Sequence, residues 1–261
     1  MSPGSSPPTE NTAPEARQAG AFDPSWSLWQ ALLLVLFFIL VQAGSVLLIA
    51  RAVNIFYPGP VNPADIEHII LRLEIPLSIL ISHSLTWLAV YFLIVRWSGL
   101  PFTRALGLET IHWPVCGKAF VGGIFLQMVS LAIILYFPPP PGFVSPLERF
   151  FQQGSWAILV LFLVAVLMAP PLEEVLFRGV LYPPTRKKFS PMIAVLATTV
   201  LFSALHASQS MGYWPPLAGI FLCGLLLALL REKTQSLWPP IAFHAGFNIT
   251  PFLTHFLFNT A

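Results

Sequence analysis

Residues 156–180, WAILVLFLVAVLMAPPLEEVLFRGV, decide the fold. From Trp156 to Met168 there is no ionisable side chain, and then Glu173, Glu174 and Arg178 arrive in a setting that is otherwise apolar. A run of this length and composition reads as a helix that crosses a bilayer. A charge at the bilayer centre costs roughly 2.5–3.5 kcal/mol on insertion scales, so three together need a local reason. Glu174 and Arg178 stand four apart, on one helical face, and can pair. Glu173 is turned about 100° from Glu174, so Arg178 is not its natural partner and one carboxylate is left for chemistry. On a soluble helix the same residues would be an ordinary surface ion pair; inside a membrane, ionisable residues are functional by default. Pro170-Pro171 removes two backbone donors and predicts an interruption of the helix there. A helix restarting at the prolines would hold Glu173 and Glu174 in its first turn, at the positive end of its dipole and beside a watery cavity.

Outward from this stretch, the composition agrees. The 261 residues are 56% hydrophobic and only 9% charged, with mean hydropathy +0.76, against roughly 25% charge in a soluble domain. The expected fold is all-α, a polytopic transmembrane helix bundle of about seven spans (seven or eight). Residues 1–25, rich in Pro, Ser, Ala and Glu, cannot bury enough surface to order and are expected to form a disordered tail. No basic segment precedes a short apolar run, as a signal peptide would require. Residues 26–258 form the membrane domain, with spans near 26–50, 75–95, 115–137, 156–185, 191–206, 215–230 and 239–258. The fourth could divide into two short helices, and 62–74 reads as an amphipathic surface segment. Ser145 to Gln153 reads as a short interfacial helix.

Leaving Arg178 aside, one side of the bundle collects Arg17, Arg96, Arg104, Lys118, Arg186, Lys187, Lys188, Arg231 and Lys233; the other has Arg51, Arg72 and Arg149. The positive-inside rule makes the first side cytoplasmic, with the N-terminus in and the C-terminus out. A net charge of +2 gives no case for nucleic acid. Cys116 and Cys223 fit neither a disulfide framework nor a metal motif and read as apolar fillers.

Three more polar side chains fall inside late spans. His206 ends the fifth, and His244 and Asn248 stand four apart on one face of the seventh. At about 1.5 Å of rise per residue, Glu173 lies about 15 Å from the cytoplasmic ends, His206 about 22 Å and His244 to Asn248 about 8–14 Å. These layers overlap near mid-membrane once helix ends shift by a turn. His83, in the second span, reads as a polar group satisfied within the bundle. A carboxylate beside a neutral imidazole can deprotonate water, and an amide with a second imidazole can stabilise an oxyanion. No Ser or Cys has a convincing nucleophile context, and the HExxH spacing of zinc ligands is absent.

In this order, Glu173-Glu174-x-x-x-Arg178, Phe202-x-x-x-His206 and His244-x-x-x-Asn248 resemble the three motifs of the CAAX-protease and bacteriocin-processing (CPBP, or Abi) family. That family includes the type II CAAX prenyl endopeptidase, a glutamic intramembrane protease. The resemblance covers about 156–258. It implies that Glu173 with His206 activates water, that His244 and Asn248 stabilise the tetrahedral oxyanion, and that Glu174 with Arg178 organises the site, with no metal and no cofactor. The expected protein is a multi-pass protein of the cell membrane. Its partners would be lipid and a membrane-associated, possibly prenylated, peptide or protein substrate. A membrane scaffold or a proton or ion relay could use the same polar cluster, and a zinc hydrolase is a third reading.

Overall fold

A computed structural model describes residues 22–56, 75–109, 111–210 and 212–258. Seven long helices carry the chain: α1 Leu28–Phe56, α2 Ile75–Ser98, α3 Trp113–Tyr136, α4 Ser155–Lys188, α5 Pro191–His206, α6 Trp214–Thr234 and α7 Trp238–Phe258. There is no strand among the described residues. The first six are long and apolar enough to cross a membrane, α5 together with the short turn that follows it. The seventh is as long as α6 but carries His244, Asn248, Thr250, Thr254 and His255, which lower its hydropathy. Large apolar side chains such as Leu40, Leu47, Phe92, Phe125, Leu135 and Leu257 point outward, while charged Glu174, Arg178 and Arg231 are buried. This is an integral membrane protein, with the expected all-α bundle.

A short helix appears at Pro146–Phe151, within the stretch expected to hold one, and Ser145 Oγ accepts from the Glu148 amide at 3.1 Å, a serine N-cap. The segment at 62–74 and the turn at 57–60 lie outside the described residues, as does most of the expected tail. Residues 22 to 26, at the tail's end, are packed on the bundle. Trp26 Nε1 donates to the Val180 carbonyl at 2.8 Å, Phe22 meets the Tyr182 ring edge-on at 5.4 Å, and Asp23 pairs with Lys187 at 2.5 Å.

The expected break at Pro170-Pro171 does not occur. α4 runs through 34 residues as one helix, and the prolines are absorbed by a change of pitch. Leu163–Met168 is a π-helical turn, as is Val175–Leu181, with α-helical Ala169–Glu174 between them. In the first wide turn the Ala169 amide donates five residues back, to the Val164 carbonyl. The wide turn makes room for the proline rings without ending the helix. Glu173 and Glu174 therefore sit in mid-helix, not at a helix N-terminus, and no dipole end acts on them.

The helix ends that the charge count assigns to one side lie together. Arg186 Nε donates to Glu232 Oε1 at 3.1 Å, Tyr182 OH to Glu232 Oε2 at 2.7 Å, and Trp238 Nε1 to the Leu108 carbonyl at 3.0 Å. At the opposite end the Tyr213 hydroxyl donates to the Phe137 carbonyl, and Phe137 stacks edge-on with Trp214.

The closest helix contact sets the position of α7. A Cβ at Gly123 of α3 would stand 2.0 Å from the Phe243 carbonyl oxygen, and one at Gly246 of α7 would stand 2.1 Å from that of Phe120. Only glycine lets two membrane helices approach this closely, and the contact brings His244, next to Phe243, into the bundle centre.

Candidate active site

Five of the six residues singled out in the sequence, Glu173, Glu174, Arg178, His206 and His244, meet in one cluster built by α4, α5 and α7. Glu174 and Arg178 are both fully enclosed, and Arg178 Nη1 donates to Glu174 Oε1 at 3.1 Å, as the four-residue spacing predicts. Arg178 Nη2 donates to the Gly224 carbonyl of α6 at 2.8 Å, and its guanidinium carbon lies 4.6 Å from the centroid of the Phe202 ring. A backbone carbonyl and an aromatic face meet part of what a buried pair requires, while Arg178 Nε and Glu174 Oε2 remain buried without a hydrogen-bonded partner among the described residues. A Cβ at Gly224 would press on the Phe202 ring at 3.1 Å and meet Nη2 at an ordinary contact distance of 3.6 Å, so glycine here chiefly leaves room for Phe202.

The second partner of Glu174 is His244. Nδ1 of that ring lies 2.9 Å from Glu174 Oε1. An ionised carboxylate only accepts, so Nδ1 carries the hydrogen and Nε2 is turned to the other side. On that side stands Glu173 Oε2, 3.8 Å away. His206 Nε2 approaches the same oxygen from α5 at 3.7 Å. The His206 ring is oriented by the Phe202 carbonyl, one turn back, which accepts from Nδ1 at 2.8 Å. Both imidazoles thus present Nε2 to one carboxylate oxygen. At 3.7 and 3.8 Å these are not direct hydrogen bonds, but each distance can be spanned through one water. Glu173 is 14% exposed and His206 18%, against 0% for Glu174, although Glu173 Oε2 itself is buried.

Asn248 is placed differently from what a motif residue suggests. Its Nδ2 donates to the Ala165 carbonyl at 2.8 Å. That carbonyl has lost its ordinary partner, because the Ala169 amide has gone to Val164, and the next donor in a wide turn would be Pro170, which has no N–H. Asn248 therefore satisfies an acceptor that the prolines and the wide turn leave over. One of its two amide hydrogens remains for other use.

Sequence reading missed several parts of the cluster. Phe202 was legible only as a motif letter. In the structure its ring packs against His206 at 4.5 Å, His244 at 5.9 Å and Phe177 at 5.2 Å, besides the guanidinium. The carbonyls of Gly224 and Ala165 leave no trace in a side-chain pattern. Among the described residues, no group of three or more His, Cys, Asp or Glu is arranged to hold a metal ion. Cys116 and Cys223 are buried and unpaired by disulfide, Cys223 within the cluster formed by Leu227 and Phe243.

Residues 155–250 match the model of a family described as "Type II CAAX prenyl endopeptidase Rce1-like". The chain is also 30% identical over 161 residues to a protein of Escherichia coli described as "Uncharacterized 24.3 kDa protein", a stretch covering 60% of this chain and 70% of that one. No solved structure matches. The matched segment begins where α4 begins and ends two residues beyond Asn248, so it contains all six residues singled out in the sequence. With the bundle and its polar centre, this match places residues 155–250 of the chain in the type II CAAX prenyl endopeptidase Rce1-like family.

Proposed function

We propose that the protein is an intramembrane glutamic endopeptidase that needs no metal and hydrolyses a peptide bond in a membrane-associated substrate. Membership of a CAAX-type protease family supports peptidase chemistry in general. The observation that carries the finer reading is the placement of two Nε2 atoms at 3.7 and 3.8 Å from Glu173 Oε2. A water donating to Glu173 Oε2 and to His206 Nε2 has both hydrogens directed and a lone pair free for attack. Glu173 takes the proton as the carbonyl is attacked and returns it to the leaving amine, general base and then general acid. His244, held through Nδ1 by Glu174, and the second N–H of Asn248 supply donors for the tetrahedral oxyanion. With Nδ1–H given to Glu174, the ring donates to the oxyanion through Nε2 when that nitrogen also carries a hydrogen. Glu174 and Arg178 hold this ring in place.

The substrate class suggested by the family is a prenylated C-terminal peptide, and the excess of Lys and Arg on one side favours the cell membrane with the N-terminus cytoplasmic. The test is a cleavage screen on purified protein with prenylated and plain C-terminal peptides, with wild type and Glu173→Gln side by side. Cleavage by wild type that persists under prolonged chelation and disappears in the variant is the expected result. A pH-dependent current without cleavage would replace this reading with a proton relay, and activity restored only by zinc would replace it with a metal hydrolase.

A further inference from the structure

Outside the family-matched segment, one more buried imidazole stands on a helix that packs against α4. His83 of α2 is 5% exposed and lies edge-on to Phe38 of α1, with ring centroids 5.9 Å apart. The sequence suggests a satisfied polar group, but only one edge of the ring is satisfied. Nδ1 lies 3.4 Å from Ser82 Oγ. That hydroxyl has a single hydrogen, and its oxygen stands 2.5 Å from Gln42 Oε1 and 3.0 Å from the Ile79 carbonyl, both of them acceptors. With its hydrogen committed, Ser82 Oγ meets the ring as an acceptor. The ring hydrogen therefore sits on Nδ1, and Nε2 keeps a bare lone pair. Nε2 is buried and meets no hydrogen-bonding group among the described residues.

The direction in which that lone pair is useful follows from the packing. α2 rests on α4 along both the wide turn Leu163–Met168 and the segment Ala169–Glu174. Ile79, one turn before His83, lines an apolar notch together with Val160 and Val164 of α4. The carboxylate whose charge acts on the His83 ring through space is Glu173, and Glu173 Oε2 is itself buried without a hydrogen-bonded protein partner. Two acceptors on neighbouring helices thus face a common need for donors. The guanidinium of Arg178 spends one nitrogen on Glu174 and another on Gly224, and its Nε, also buried, reaches no hydrogen-bonding group among the described residues. A small molecule with two O–H groups, water, meets the requirement.

We propose that His83 is a positioning residue of the site: its Nε2 holds a water beside Glu173, separate from the one shared by Glu173 and His206. This second water moves up when hydrolysis consumes the first. The idea rests on the hydrolytic reading given above. In each turnover the oxygen of one water ends in the new carboxylate and both its hydrogens on the product amine, one of them carried by Glu173. A site enclosed by apolar helices must refill that place, and a water already held on His83 shortens the wait.

The test compares His83→Phe, which keeps a ring against Phe38 but cannot accept, with His83→Gln, which can accept through Oε1. Expected are folded proteins in which His83→Phe lowers kcat by about tenfold or more with KM little changed, and His83→Gln recovers much of the loss. A folded His83→Phe protein with wild-type kcat overturns the proposal. A second measurement needs no turnover: magnetisation transfer from water to the His83 ring in labelled wild-type protein in lipid bilayers. Transfer to the Nε2 edge is expected, and its absence overturns the proposal. Should wild type cleave no peptide, the hydrolytic reading fails and the water site is judged by this measurement alone; the same holds if both variants fail to fold.

Discussion

His244 Nδ1 and Glu174 Oε1 stand 2.9 Å apart, and on the same oxygen Arg178 Nη1 donates at 3.1 Å. One oxygen of a fully buried carboxylate thus ties α7 to α4, while the neighbouring Glu173 meets the other edge of the same imidazole. Adjacent glutamates in the chain thus differ: one ties two helices together, and the other has an oxygen with no direct hydrogen bond from the described residues.

The two carboxylates should therefore fail differently. Glu173→Gln keeps shape but cannot take a proton from water, and should lose at least about 10²-fold in turnover while folding normally. Glu174→Gln leaves Arg178 without its counter-charge and should cost about 3–5 kcal/mol. Its melting temperature should fall in the same detergent, and Arg178→Gln should partly restore it. A stable, inactive Glu174→Gln beside a stable, active Glu173→Gln would reverse the roles.

Asn248 should matter for stability as well as for activity. Asn248→Ala leaves the Ala165 carbonyl buried without a donor, a loss of about 1–3 kcal/mol. Pro170→Ala returns a backbone N–H to this turn, so the double variant should recover thermal stability but not cleavage. Equal melting temperatures for wild type and Asn248→Ala would show that the carbonyl finds another partner.

The glycine contact gives a third expectation. Gly123→Ala and Gly246→Ala each drive a methyl to about 2 Å from an opposing backbone oxygen, so α3 and α7 must separate. The cost should reach or exceed the roughly 1–3 kcal/mol typical of overpacking, with cleavage lost as His244 is displaced. Gly117→Ala, whose methyl meets nothing within 4 Å, serves as the control and should be neutral or slightly stabilising. Thermal unfolding of the three variants decides it.

Much of this was legible in the sequence. Apolar length gave the spans, the four-residue spacing gave the Glu174–Arg178 pair, and depth counting put His206 and His244 near Glu173. What escaped were effects carried by backbone groups. Pro170-Pro171 reads as a break, because a proline pair deprives the preceding turn of donors; nothing in the side-chain pattern says that a wide turn and a distant Asn248 will make good the loss. His83 reads as inert for a similar reason. Its significance lies in which ring nitrogen Ser82 leaves free, and Ser82 takes that role only through Gln42 on another helix.

Topology is open to a direct check. Reporters fused after Lys188 and after Lys233 should both read cytoplasmic, in keeping with the contacts of Glu232 with Arg186 and Tyr182, and one fused at Ala261 should read outside. Lys188 and Ala261 fusions on the same side would rule out an odd number of crossings between them.

The Glu174–Arg178 pair also bears on how the chain is made. Both residues belong to α4, so they can neutralise one another as soon as that helix has formed, before Gly224 or His244 has been synthesised. A carboxylate and a guanidinium enter lipid at lower cost when they enter already paired. The other anchors follow in order of translation: first the ring of Phe202, then the carbonyl of Gly224, and last the imidazole of His244 on the helix that docks through Gly246. The polar centre is therefore assembled from the inside outward, and Glu173 meets its second imidazole only when the final helix reaches the membrane.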